Sequence, residues 1–144
     1  MSEAGRASRA DYRAFRSIPT RWMDNDAYGH VNNVVYYSWF DTAVNTLLVE
    51  MGLLDIMHGQ TIGLVVETGC RYHRSVAFPA IVEAGVRIAR LGSSSVRWEV
   101  GIFVAGSDAI AAEGFFVHVY VDRDTRRPVP LTDDWRTALT ALAA

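Results

Sequence analysis

The segment Asp24-Asn25-Asp26-Ala27-Tyr28-Gly29-His30-Val31-Asn32-Asn33 packs two carboxylates, an imidazole, several carboxamides and a glycine between a strand-like run and a helix-like run. A carboxylate just ahead of a helix meets unpaired backbone N–H groups and the positive end of the dipole, so one use of Asp24 or Asp26 is to cap that helix. The pair allows more. Carboxylates one residue apart in an extended segment point to opposite sides and can take separate tasks. Gly29 lets a ligand approach the backbone closely. Helix N–H groups near Asn33 can bind a carbonyl oxygen as negative charge develops on it. A carboxylate facing such a helix end is sufficient equipment to hydrolyse an activated acyl group, with no Ser or Cys nucleophile.

Other chemistries find less support. His30, His58, His73 and His118 are far apart and Cys70 stands alone, so no metal-ligand spacing appears and no metal is expected. Cys70 falls within a strand-like run and reads as a core residue. All 14 basic residues are arginine, which removes Schiff-base and lysine-nucleophile chemistry. Glu67 and His73 read as scaffold or interface residues. Among the arginines at strand ends and loops, Arg126 and Arg127 are the candidates for gripping a phosphate.

The elements that position this segment follow from periodicity. Residues 12–21 alternate imperfectly, as a strand ending near Pro19. In VVYYSWFDTAVNTLLVEMG, Val34, Tyr37, Phe40, Val44, Leu47, Leu48 and Met51 recur at helical spacing. Asn32 or Asn33 reads as the N-cap, and Gly52 as the stop. Residues 61–74, 80–91, 95–105 and 109–122 read as strands joined by tight turns, with Gly114 marking a bulge. A short helix from Asp133 to Leu142, capped by Thr132, closes the chain. Strands joined by short turns are antiparallel. One long helix with one apolar stripe must lie on a face of that sheet, which gives an α+β layer with the helix inside a curved sheet of about five strands.

The stretch TRWMDNDAYGHVNNVVYYSWF resembles the signature segment of the hotdog-fold acyl-CoA thioesterases, in the 4-hydroxybenzoyl-CoA thioesterase-like branch, without a gap over about twenty residues. The strand–helix–four-strand order over residues 12–122 fits that hotdog fold. The resemblance makes Asp26 the nucleophile or general base and Asn33 the donor of the carbonyl-polarising N–H. Asp24 becomes structural. His30 matches the same motif and either orients Asp26 or a water or is a structural donor in the turn, and Gly29 and Asn32 are carried over as residues that touch substrate. The implied substrate is an acyl-CoA, with Arg126 and Arg127 on its phosphates and no cofactor needed. The resemblance also implies a homodimer whose subunits share a site, or a homotetramer built as a dimer of dimers. A non-catalytic acyl-CoA binder and a hotdog dehydratase or hydratase are the alternatives. The first would not need Asp26, and the second uses His/Asp or His/Glu patterns that this segment lacks.

Bulk properties agree with one domain. The chain has 144 residues, half of them hydrophobic and 21% charged. Residues 12–144 are expected to fold as a unit behind a mobile tail over residues 1–11. A net charge of −2 offers no case for nucleic acid or an anionic membrane surface as partner. No apolar run approaches the roughly 18 residues that cross a bilayer. MSEAGRASRADYR has no apolar core of a secretory signal, so a cytoplasmic location is expected.

Overall fold

The β-branched and aromatic runs after residue 60 build most of one antiparallel sheet, and the chain ahead of them adds an edge strand and the helix lying on it. The structure, a computed structural model, describes residues 5–144. Its strands are β1 (Ala14–Pro19), β2 (Thr61–Tyr72), β3 (Ile81–Leu91), β4 (Ser95–Val104) and β5 (Ile110–Asp122). Helix α1 covers Val35–Glu50 and helix α2 covers Asp133–Thr140. The sheet order is β1-β3-β4-β5-β2, so β1 and β2, which flank α1 in sequence, lie at opposite edges. Helix α1 therefore spans the curved inner face. The architecture is the hotdog fold. No helix among the described residues is long and apolar enough to cross a membrane.

The core lies between α1 and the inner face of the sheet. Val82, Ala84, Val86 and Ile88 on β3 and Val96, Trp98, Val100 and Ile102 on β4 are all buried there, as period-two alternation requires. On α1 the buried residues are Tyr36, Trp39, Phe40, Ala43, Val44 and Leu48. The stripe is thus rotated from the expected one, and Val34 is left 61% exposed. The first turns of the helix are nearly all apolar, so periodicity alone does not choose a face, and tertiary partners do. Tyr36 meets the Tyr72 ring edge-on, with centroids 4.9 Å apart. Phe40 sits over Gly114, where an added Cβ would fall 2.1 Å from Phe40 Cζ. Gly114 therefore marks a seat for a ring, and it pairs regularly with Cys70 and Val100 instead of forming a bulge. The ladder irregularities lie elsewhere, at Val65/Glu67, Ile88/Arg90 and Ile102/Phe103.

The short C-terminal helix is capped as expected, with the Thr132 hydroxyl accepting from the Trp135 N–H at 3.2 Å. The expected tail, in contrast, is anchored over its described part. Ala7 N–H donates to Glu113 Oε1 at 3.0 Å, and Arg9 bonds the Ser107 carbonyl at 2.7 Å and Glu83 at 2.9 Å. The Tyr12 ring lies on the outer face over Gly85 and Gly101, whose missing side chains make room for it. Small polar residues conceal this attachment in the sequence, because the contacts are made by strands about a hundred residues away. Residues 1–4 lie outside the described residues.

Candidate functional site

Between β1 and α1 the chain makes a 3-10 turn, Trp22–Asp24, and then a tight loop. Asp24 is 1% exposed and fully engaged. Its carboxylate accepts from the Arg21 N–H at 2.7 Å and from the Arg21 guanidinium at 2.7 and 2.9 Å, and its carbonyl accepts from the Asn32 N–H at 2.9 Å. Asp24 thus braces the loop. Asn25 and Val31 bridge across it, and the Asn25 side chain accepts from the Phe78 N–H at 3.0 Å.

Asp26 opens the turn at the loop's tip. Its carbonyl accepts from the Gly29 N–H at 3.1 Å, and its N–H donates to the His30 carbonyl at 2.9 Å. Gly29 has φ +85°, with nothing within 4 Å of an added Cβ, so the residue serves the left-handed backbone rather than a tight contact. One Asp26 oxygen, Oδ1, accepts from the Tyr28 N–H at 2.8 Å. The other takes no bond from any described residue. Asp26 is half-buried and does not cap α1. The N-cap position is Val34, one residue past the expected Asn32 or Asn33, and carries no side-chain cap; Asn32 Oδ1 instead closes a turn just ahead of it, receiving the Val34 N–H at 3.1 Å. The first regular α-helical residue is Val35, because the Val35 and Tyr36 N–H groups reach back to the Asn32 and Asn33 carbonyls in a tighter opening turn.

The four amides that lead into α1 divide unevenly. Val31 N–H donates to the Val76 carbonyl, Asn32 N–H to the Asp24 carbonyl and Val34 N–H to Asn32 Oδ1. The Asn33 N–H donates to no described residue. Asn33 lines a cleft of about 230 Å³ together with His30, Tyr36, Tyr72 and His73. The structure therefore brings His30 and Asn33 to one cleft, with Asp26 in the loop beside them. Tyr72 escaped the sequence reading. Its hydroxyl donates to the Asn33 carbonyl at 2.8 Å. Burial, reinforced by neighbouring Cys70 and Tyr37, pushes that phenol above its ordinary range, so it stays protonated as a donor. His73 is held by Glu113, Nε2 to Oε2 at 2.8 Å, and supports the cleft from behind. Its bond partner is 40 residues away, which is why its setting was not visible in the sequence.

A second hollow, about 210 Å³, continues along the seam between α1 and β2. Tyr37, Phe40, Val65 and Phe116 make it mainly apolar, and Asp41 stands in it with its carboxyl pushed up by burial. The largest cavity, about 450 Å³, is on the opposite, outer side of the sheet beneath the Tyr12 segment. Its carboxylates Glu99 and Glu113 are already bonded to Arg87 and His73. Arg126 and Arg127 lie in the turn after β5, beside the Thr61 end of β2. The cleft is at the Tyr72 end, roughly 36 Å away along an extended strand, so one protomer does not bring these arginines to its own cleft.

Comparison with known proteins fits this geometry. The chain is 53% identical to the PA5185 protein of Pseudomonas aeruginosa PAO1, over 95% of this chain and 96% of that one, with a TM-score of 0.92. The PA2801 protein of the same species is 29% identical over 88% and 98% of the two chains, with a TM-score of 0.82. Slr0204 of Synechocystis, a 1,4-dihydroxy-2-naphthoyl-CoA thioesterase, shares the fold at a TM-score of 0.78, with 18% identity over 88% and 94% of the chains. The model of the thioesterase-like superfamily matches residues 20–139, from the residue that precedes the Arg21–Asp24 brace to the last buried residue of α2. This chain belongs to the thioesterase-like superfamily.

Proposed function

We propose that the protein hydrolyses an acyl-CoA thioester to the free acid and CoA, in the cytoplasm and without a cofactor. The observation that carries this reading is the Asn33 N–H, without an acceptor among the described residues at the start of α1 while its neighbours are all bonded. An amide at a helix N-terminus stabilises charge developing on a carbonyl oxygen. The uncommitted oxygen of Asp26 supplies the second group. It attacks the thioester carbon directly, giving a mixed anhydride that water then hydrolyses, or it takes a proton from a water that attacks the same carbon. In either route the tetrahedral oxyanion forms against the Asn33 N–H, and its collapse breaks the C–S bond. CoA leaves as the thiolate, which needs no acid because thiols are good leaving groups.

Tyr36 and Tyr72 line the cleft, and the Phe40–Phe116 hollow lies along the same helix and strand, so the acyl group is assigned to the α1–β2 seam. That seam is open along β2, which is hydrogen-bonded to β5 alone. At twelve residues and without proline, β2 is the longer edge, in contrast to the six-residue β1 with its Pro19. The reading therefore includes a homodimer in which two β2 strands pair antiparallel about a two-fold axis. Thiol release from a panel of acyl-CoAs, from acetyl through long-chain to benzoyl and 4-hydroxybenzoyl, tests the activity. Hydrolysis of at least one member is expected, and a purified dimer inert toward all of them would remove the reading.

A further inference from the structure

We infer that the cavity on the outer face of the sheet, beneath the segment that carries Tyr12, is a second ligand site, which takes a phosphate monoester with a polar organic body. The site stands apart from the α1 cleft and does not depend on the proposed hydrolysis.

The cavity, about 450 Å³, is built from outward-facing residues whose neighbours the strand register fixes. Arg71 on β2 stands beside Glu113 on β5, and Phe115 stands between Gly69 and Glu99. Glu99 is paired in turn with Arg87 on β3. The Phe115 ring leans over β2 because Gly69 has no side chain there; an added Cβ would fall 2.7 Å from Phe115 Cε1. The Tyr12 ring, seated over Gly85 and Gly101, closes the other side. Antiparallel β2 pairing in the proposed dimer would extend the sheet edge to edge and leave this face uncovered.

The ligand's chemistry follows from which groups around the cavity are already engaged. Both carboxylates are. Glu99 accepts from Arg87 at 2.8 Å, and Glu113 bonds the Ala7 N–H at 3.0 Å and His73 Nε2 at 2.8 Å. Three donors are left over. The Arg71 guanidinium bonds to no described residue. Among the described residues Arg97 meets a carboxylate only at Glu67, 3.9 Å away and beyond hydrogen-bond reach. Its guanidinium lies over the Phe115 ring, 3.9 Å from the centroid, so the ring takes its face and the in-plane N–H groups remain as donors. The Tyr12 hydroxyl donates to no described residue, and burial pushes its pKa up, so it stays protonated.

A cavity whose acceptors are engaged and whose donors are not fits a ligand made of acceptors. Arg71 and Arg97 match the charge of about −2 that a phosphate monoester carries at neutral pH, and guanidinium forks match its oxygens. Cavities of this size hold whole small molecules, so a bare phosphate would leave most of it empty. The rest of the lining is dominated by the Arg87–Glu99 pair and Glu113. The body joined to the phosphate is therefore hydroxylated, as in a sugar or nucleoside phosphate.

Calorimetric titration of the whole protein with AMP and with glucose 6-phosphate tests the site, beside adenosine, glucose and inorganic phosphate. Saturable binding of at least one monoester is expected, with its unphosphorylated parent not bound and inorganic phosphate bound more weakly. Arg71→Gln and Arg97→Gln should each weaken that binding about tenfold. Arg71 makes no bond within the fold, so an unchanged thermal melt of Arg71→Gln separates lost binding from lost structure. No saturable binding of either monoester, binding unchanged in Arg71→Gln, or inorganic phosphate bound as tightly as the esters overturns the inference. Thiol release separates this site from the phosphates of CoA. The KM for acyl-CoA should be the same in Arg71→Gln and wild type, and a raised KM would assign Arg71 to the substrate and overturn the second site. If no acyl-CoA is hydrolysed at all, the functional reading falls while the titration still decides the outer cavity.

Discussion

The Tyr72 hydroxyl donates to the Asn33 carbonyl at 2.8 Å, tying the last residue of β2 to the turn from which α1 begins. The bond sets the helix start against the sheet and, in the proposed mechanism, holds the Asn33 amide where the oxyanion forms. Tyr72→Phe removes one hydrogen bond and keeps the ring beside Tyr36. A single such bond contributes about 1 kcal/mol, so kcat should fall about fivefold with KM little changed. Steady-state kinetics on the best acyl-CoA check this, and a KM effect alone would assign Tyr72 to binding.

Gly29 tests the turn that presents Asp26. Its φ of +85° with open space around it means that a substitution strains backbone and not packing. Gly29→Asn should retain more activity than Gly29→Val, because Asn enters the left-handed region at lower cost than a β-branched residue. Kinetics and thermal melts of both variants check the order.

Gly114 tests the seat of α1. An added Cβ would meet Phe40 Cζ at 2.1 Å, so Gly114→Ala forces the helix or the ring to move. Overpacking of this kind costs about 1–3 kcal/mol. Urea denaturation should show that loss, and Phe40→Leu introduced alongside should cost less than the sum of the two single changes.

His118 makes stability depend on pH. Burial pushes its pKa down to about 4, while the unfolded chain has an ordinary histidine near 6.5. Between those values the unfolded state binds the extra proton, so stability is full above pH 6.5 and falls as the pH drops toward 4. The loss from pH 7 to pH 5 is on the order of 2 kcal/mol. Urea titrations at the two pH values measure it, and His118→Gln should flatten the difference.

The loop was legible because it is local: a run of polar residues ahead of a long periodic segment names its own place in the chain. The strands after residue 60 were legible for the same reason, with ends within two residues of those observed. What was not legible is what partners far away decide. Tyr72 gains its role from Asn33, 39 residues earlier, and Gly114 gains its role from Phe40. The buried face of α1 was misplaced because Val35-Tyr36-Tyr37-Ser38-Trp39-Phe40 offers apolar residues in nearly every direction. Residues 7–11 looked free because the groups that hold them, Glu83, Ser107 and Glu113, come late in the chain. The Asp24 and Asp26 carboxylates have different partners, Arg21 for the first and the Tyr28 N–H for the second, and neither caps the helix.

The central claim is that Asp26 performs chemistry and Asp24 does not. The most direct measurement is thiol release by Asp26→Asn beside the wild type, with thermal melts of both. Loss of a nucleophile or general base lowers kcat by about 100-fold to 10,000-fold, and that loss is expected with little change in Tm. An Asp26→Asn protein that hydrolyses acyl-CoA at the wild-type rate would contradict the account and leave Asp26 as a turn residue.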